Sequence, residues 1–178
     1  MARLIVLLRG VNIGPRNRVA MPELRRLLAD SGFDEVQTYV QSGNVVLASK
    51  QSATQVAREC RRQIAKTFGL DIAVVVRTRA ALAKVVARDP LGDVADDPKR
   101  YQVSFLDAKP SRAVLRRLED AVVPPEQFVA DGREIYAWHP AGVARSKLWA
   151  LLAGRDLGVT ATARNWTTVT KLRALAEE

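Results

Sequence analysis

Two groups of polar residues in this sequence have the side chains needed to bind an anion. The first group follows the apolar run Leu4–Leu8 and continues after the next predicted strand: Arg9, Asn12, Asn17, Gln41, Ser42 and Asn44. The second group lies towards the carboxy terminus: Ser146, Lys147, Arg164, Asn165 and Trp166. Arginine and lysine supply positive charge, and the amides and hydroxyls supply hydrogen bonds that fix orientation. Neither group contains a carboxylate, a histidine or a cysteine, so binding is predicted ahead of acid–base catalysis.

The first group also has a purely structural interpretation. Arg9 could hold an anion against the backbone amides of the loop that follows it, or it could bind loop carbonyls. Asn12 and Asn17 suit Asx turns as well as ligand contacts. Gly43 and Asn44 suit a hairpin turn that needs no function. Ligand contact and loop bracing both stay open for these residues.

The second group has the same two interpretations. Asn165 suits a helix N-cap, and Trp166 suits a core anchor. Ser146 and Lys147 resemble a nucleophile and its base, but neighbouring residues on a helix diverge by about 100°. Catalysis by this pair would therefore need a further partner.

Familiar cofactor and metal motifs are absent from the sequence. Gly10–Gly14 is not followed by the Gly-Lys-Ser/Thr of a phosphate loop, and no Gly-x-Gly-x-x-Gly occurs. The single histidine, His139, has no Cys or His neighbour in sequence, which gives a metal site or a histidine-based triad little support. Asp93, Asp96 and Asp97 lack the spacing of a calcium loop and suit a solvated linker. No cofactor and no metal is expected.

The composition sets limits on partners and compartment. Twenty-eight Lys and Arg against 19 Asp and Glu give a net charge of +9, which suits either a polyanionic partner such as nucleic acid or a solvated basic surface. The apolar start is too short for a secretory leader or a membrane span. The only cysteine, Cys60, lies in a helical apolar stripe, which favours a packing role. These features predict a cytoplasmic protein without a membrane partner.

The elements that position the first group form a recognisable series. The predicted order is strand 4–8, helix from Pro22, strand 36–40, strand 45–48, helix 52–68 and strand 71–77. This order of strand-helix-strand-strand-helix-strand is typical of the ferredoxin-like split βαβ fold. The unbroken apolar strands indicate a sheet covered on both faces and carry no aromatic residues, which disfavours RNA stacking on the sheet.

The second half is predicted to repeat the same order of elements. Strand 101–106, helix 111–121, a hairpin of strands 127–130 and 133–138, helix 143–153 and strand 158–162 precede a final helix, 165–176. The predicted fold class is α+β with two tandem ferredoxin-like subdomains. The predicted domains are 1–78, a connecting helix and acidic linker over 79–99, and 100–178 with the carboxy-terminal helix. Thr78 is predicted to cap the connecting helix.

The topology suggests where the two groups of polar residues meet. In each repeat, crossover and hairpin loops gather at one edge of the sheet. If the two edges face each other, both groups line one cleft between the subdomains. The leading hypothesis is a small anionic ligand in that cleft, with charge from Arg9, Lys147 and Arg164. The alternatives are sequence-independent nucleic-acid binding through a basic surface and an enzyme of unknown class that uses the same cleft.

Five segments in combination support a family resemblance that spans essentially the whole chain. They are Leu7–Gly14, Met21–Leu24, Tyr39–Val46, Ser146–Leu148 and Ala163–Leu172. Together they resemble the bacterial domain of unknown function family 1697, which implies paired ferredoxin-like subdomains. The resemblance implies no activity. Pro15-Arg16 after Gly14 departs from the smaller or more cationic step expected there.

Overall fold

Two four-stranded antiparallel sheets organise the chain, and the computed structural model describes all residues, 1–178. The chain divides into two compact units. The first contains Met1–Lys84 and Lys171–Glu178, and the second contains Val85–Thr170. The divisions therefore fall inside helix α3 (Arg79–Arg88) and helix α6 (Trp166–Glu177).

The first unit has the predicted split βαβ order. Its elements are β1 (Ala2–Leu8), α1 (Met21–Asp30), β2 (Asp34–Tyr39), β3 (Asn44–Ser49), α2 (Ala53–Phe68) and β4 (Val74–Thr78). The strands are arranged β2-β3-β1-β4. Ser52 and Gln55 cap α2 with a capping box, and Gly69 ends it in the left-handed conformation. Thr78 accepts the Ala81 amide hydrogen bond, as predicted for the cap of α3.

Both faces of the two central strands in this unit are buried, which the apolar pattern predicts. On one face Leu4, Val6 and Leu47 pack with apolar side chains of α1 and α2. Ile5 and Val46, on the opposite face, are also completely buried or nearly so. Cys60 lies in this core and is buried, as predicted from its place in an apolar stripe.

The second unit repeats the topology. Its elements are β5 (Tyr101–Leu106), α4 (Arg112–Ala121), β6 (Gln127–Asp131), β7 (Glu134–Trp138), α5 (Lys147–Ala153) and β8 (Ala161–Asn165). The strands are arranged β6-β7-β5-β8, which matches the order in the first unit. Tandem ferredoxin-like subdomains are thus the fold of this chain. No helix is both long enough and apolar enough to cross a membrane.

Three elements start three or four residues later than the sequence predicts, and the starts of the others agree within two residues. Strand β4 starts at Val74 rather than at residue 71, because its pairing with β1 begins at Leu8 and Val74. Helix α5 starts at Lys147 rather than at residue 143, since the Ser146 hydroxyl caps it by accepting the Trp149 amide. Strand β8 covers 161–165 rather than 158–162.

The shift of β8 has a specific cause. Thr162 and Arg164 lie on one buried face of the strand. Because charged residues are rarely buried, the sequence pattern does not predict that the strand continues through Arg164. The pairing of Gln102 with Asn165 and of Leu106 with Ala161 fixes the actual register.

Candidate functional site

The loop between β1 and α1 lies beside the turn between β2 and β3, as the topology predicts. The Leu8 amide donates to the Gly43 carbonyl at 2.9 Å. The side-chain amide of Asn12 donates to the Gln41 carbonyl at 2.7 Å. These bonds join the crossover loop to the hairpin turn and form one edge of the first sheet, called here the loop edge (residues 9–20 and 40–44).

Asn12 braces the loop edge from within. Its amide nitrogen also donates to the Val19 carbonyl at 2.8 Å, and its Oδ1 accepts the Val19 amide at 2.9 Å. Asn17 makes a longer bond, 3.4 Å, to the Gly10 carbonyl. Both asparagines have positive φ, 56° and 53°, which asparagine tolerates better than most residues. The Asx-type structural interpretation of both residues therefore has direct support.

The other predicted residues of the first group differ in exposure. Asn44 is completely buried, and its amide donates to the Tyr39 carbonyl at 3.2 Å and to the Ser42 hydroxyl at 3.4 Å. Arg9 is half-buried, and its backbone amide donates to the Ala73 carbonyl at 2.9 Å. Gln41 and Ser42 are exposed at the tip of the turn. Gln41 is thus the member of this group best placed to meet a ligand.

Gln41 separates two surface grooves on the loop edge. The first, of about 490 Å³, is called here the arginine groove, and its lining includes Arg25, Arg26, Thr38, Val40 and Gln41. It holds two cations, a hydroxyl and an amide, and no carboxylate. The second, of about 600 Å³, is lined by Asn12, Arg18, Val19, Ala20, Glu23 and Gln41, and its two charges are of opposite sign.

Arg25 and Arg26 were not among the residues that the sequence singled out. Both are exposed on helix α1, and neither has a carboxylate within ion-pair distance. The contact between α1 and β2 places them across from Thr38. In the sequence, these residues are marked only by their consecutive positions on an amphipathic helix. An ordinary solvent-exposed helix face has the same pattern, so the sequence does not distinguish a binding site there.

In the second unit the predicted residues occupy one edge of the sheet. Tyr101 pairs with Trp138 and Gln102 pairs with Asn165, so β7 and β8 end at the same side. Asn165 is the N-cap of α6, since its Oδ1 accepts the Thr168 amide at 2.9 Å. Trp166 stacks on Tyr101 with 4.8 Å between ring centroids. The structural interpretations of both residues are therefore observed.

Arg164 lies inside strand β8 and is only 8% exposed. Its guanidinium donates to the Thr162 hydroxyl at 2.7 Å and to the Ala163 carbonyl at 2.8 Å. Burial lowers the pKa of Arg164 to about 10, because desolvation disfavours the charged form. Lys147, by contrast, is exposed.

Ser146 has neighbours that the sequence did not indicate. Its hydroxyl donates to Oε2 of Glu126 at 2.6 Å, and His139 Nδ1 lies 2.6 Å from the same oxygen. His139 is completely buried, and its Nε2 has no hydrogen-bond partner. His139 has no Cys or His neighbour in sequence, but the fold brings it and Ser146 to Glu126, which lies 13 and 20 positions away from them along the chain. No group of three or more His, Cys, Asp and Glu side chains could hold a metal ion.

The two sheets and their order of elements define a protein of two tandem ferredoxin-like subdomains. The same architecture occurs in the solved structure of the conserved bacterial protein SP0830 from Streptococcus pneumoniae, with a TM-score of 0.81. That structure is 21% identical and the match covers 98% of each chain, so it shows the fold alone.

The chain belongs to the family DUF1697, described as a protein of unknown function, whose model matches residues 1–136. This confirms the family resemblance, and the matched residues contain the first three of the five motif segments. No curated protein matches the chain.

Proposed function

We propose that this protein binds a small anionic ligand in the arginine groove of its first unit. The observation that carries this proposal is the pair of exposed, unpaired guanidiniums of Arg25 and Arg26 in one groove with Thr38 and Gln41. Two cations without a carboxylate leave an uncompensated positive potential, which an anion would neutralise. The hydrogen bond from Asn12 to the Gln41 carbonyl positions the turn beside them.

The donors of the groove match a phosphate or carboxylate group. A guanidinium presents parallel N–H donors that fit two oxygens of such a group. The Thr38 hydroxyl and the Gln41 amide add uncharged hydrogen bonds, which fix orientation without adding charge. The groove also offers Met21, Pro22 and Val40 as apolar contacts for the rest of the ligand. A compact organic phosphate or polycarboxylate suits this combination better than a bare inorganic ion.

We place this binding in the cytoplasm. The single thiol, Cys60, is free and buried in the core of the first unit, which suits a compartment where thiols stay reduced.

Isothermal titration with glycerol 3-phosphate and with citrate at low ionic strength tests the proposal. The double variant Arg25→Ala/Arg26→Ala is expected to lower the affinity for the ligand that binds by at least about tenfold, since each charge-assisted bond contributes about 1.5–3 kcal/mol. Wild-type protein that binds neither anion would overturn the proposal.

A matched control separates a specific groove from general electrostatic attraction. Arg112 and Arg116 are exposed on α4 in the second unit, so Arg112→Ala/Arg116→Ala removes the same charge elsewhere. We expect this control to retain the affinity of the wild type. Equal losses in both double variants would contradict an anion site in the groove. If a short single-stranded oligonucleotide also bound, with equal losses and a steep salt dependence, the basic surface would be the binding element instead.

A further inference from the structure

We infer that the second unit carries a separate site, in which Ser146 acts as a nucleophile towards ester substrates and Glu126 as its general base. The hydroxyl of Ser146 donates to Oε2 of Glu126 at 2.6 Å. A hydroxyl that is hydrogen-bonded to a carboxylate has an acceptor in place for its proton. Both residues line the same surface pocket, so a substrate can reach them.

Comparison with the other serine caps shows that this contact exceeds what capping requires. Ser52, Ser111 and Ser146 all accept a backbone amide at the start of a helix, at 3.0–3.2 Å. Of the three, only Ser146 donates its hydroxyl to a carboxylate. A helix cap needs the oxygen as an acceptor and makes no demand on the proton. The Glu126 contact is therefore a feature with no role in starting α5.

The pocket beside Ser146 suits a small, largely apolar acyl group. It encloses about 590 Å³, and most of its lining is apolar, including Val123, Pro124 and Pro140. The exposed cations Arg145 and Lys147 also line it. Positive charge at this position favours the oxyanion that forms when a carbonyl carbon is attacked. Esters of short aliphatic acids fit this pocket, because their acyl chains are small and apolar.

The reaction conserves atoms and charge without a further cofactor. Ser146 Oγ bonds to the ester carbonyl carbon, and its proton passes to Glu126 Oε2. Collapse of the tetrahedral intermediate breaks the bond to the alcohol oxygen, which leaves with the proton from Glu126. Water then attacks the acyl-serine, again giving its proton to Glu126. The proton returns to Ser146 Oγ as the carboxylic acid leaves.

His139 positions the general base. Its Nδ1 lies 2.6 Å from Glu126 Oε2 and 3.4 Å from Ser146 Oγ, while its ring meets Trp149 edge-on. Because a carboxylate only accepts hydrogen bonds, Nδ1 carries the proton in this contact. The buried imidazole thus holds Oε2 against the serine hydroxyl and does not itself reach the substrate.

Labelling of the full chain with a fluorophosphonate probe tests this site. The serine oxygen displaces fluoride from phosphorus, and mass spectrometry locates the adduct. We expect an adduct on Ser146 and none on Ser111, which is an exposed cap without a carboxylate. We also expect release of nitrophenolate from p-nitrophenyl acetate that Ser146→Ala abolishes. Absence of an adduct on Ser146, or equal labelling of Ser111, would overturn the inference.

Variants of the two supporting residues separate catalysis from packing. Glu126→Gln keeps the shape and a hydrogen-bond acceptor but removes the base, so the labelling rate should fall by about 100-fold or more. His139→Asn keeps an N–H near the position of Nδ1 and should retain most of the rate, whereas His139→Ala should lose it. Thermal melting identifies any variant that fails to fold. Full labelling in a folded Glu126→Gln protein would contradict general-base action.

Discussion

The side-chain amide of Asn12 donates to the backbone carbonyl of Gln41 across 2.7 Å, and so ties the β1–α1 loop to the β2–β3 turn. The same side-chain amide also donates to the backbone carbonyl of Val19 and accepts a hydrogen bond from its backbone N–H. One side chain therefore joins three segments of the loop edge, and one of its partners, Gln41, lines the arginine groove. The loop edge is thus braced by hydrogen bonds between its own residues.

Replacing Asn12 with aspartate is expected to destabilise the protein. The carboxylate cannot donate, so the Val19 and Gln41 carbonyls lose their partner and face a negative charge. We expect the free energy of unfolding to fall by about 2 kcal/mol, because the partly buried Val19 carbonyl loses its hydrogen bond, whereas the exposed Gln41 carbonyl can bond to water. Urea denaturation followed by circular dichroism measures this. Asn17→Asp is the control, because Asn17 makes only one bond of 3.4 Å, and its cost should stay below about 1 kcal/mol. Equal costs would contradict a bracing role for Asn12.

Gly43 is predicted to tolerate no side chain. A Cβ there would lie 2.6 Å from Val11 Cγ2 and 2.7 Å from Leu8 Cβ, and φ is 73°. Gly43→Ala should therefore cost about 3 kcal/mol, from overpacking and from the left-handed backbone together. Gly14→Ala shares a positive φ of 68° but meets nothing within 4 Å, so it should cost only about 1 kcal/mol. Equal melting temperatures for the two variants would show that steric overlap at Gly43 is absent.

The fold could be predicted from the sequence because its signals are local. Leu4–Leu8 has no polar alternation, and each of its residues is at most 1% exposed in the structure. Ser52 and Ser111 precede their helices as N-caps. Strand β8 was predicted three residues too early, because Arg164 is buried within the strand and only pairing with β5 explains a charged residue there.

The candidate sites could be predicted only in part. Gln41 and Ser146 were identified from their loops, but their decisive neighbours come from tertiary structure. Arg25 borders the arginine groove only because α1 packs beside β2. Glu126 and His139 meet Ser146 because the β6–β7 hairpin returns the chain to its starting edge. The spacing of these three residues in the sequence does not predict that they are in contact.

The stability of the protein is expected to fall in alkaline solution, partly through Cys60. Burial raises the pKa of Cys60 to about 12, because the core disfavours the thiolate. Above about pH 9 the unfolded chain releases this proton while the native state retains it. The unfolded state then binds fewer protons, so the free energy of unfolding falls by about 1.4 kcal/mol per pH unit. Burial also raises the pKa of Tyr101 and Tyr136, which extends the effect above about pH 10.

Urea denaturation at pH 8 and pH 10 measures the alkaline effect. Cys60→Ala removes the contribution of thiol ionisation to the pH dependence. Between these pH values the free energy of unfolding of the variant should therefore fall less than that of the wild type, by about 1 kcal/mol. The native thiol should also react with a disulfide reagent only as fast as the protein unfolds. Rapid reaction of the native protein, or identical pH slopes for wild type and variant, would contradict a buried, protonated Cys60.

Val40 is a strained residue at the rim of the arginine groove. Its φ is 50°, a left-handed conformation that a β-branched side chain adopts at a cost of about 1–2 kcal/mol. Val40→Asn should therefore raise the free energy of unfolding by about 1 kcal/mol, since asparagine tolerates this conformation. Val94→Asn is the control, because Val94 is 44% exposed against 52% for Val40 but lacks a positive φ. The free energy of unfolding of this control should change by no more than about 0.5 kcal/mol.

A stabilised Val40→Asn protein with weaker anion binding would also show that the strained valine contributes to binding in the arginine groove, because strain persists at sites where it is useful. Destabilisation of the variant would contradict backbone strain at this turn.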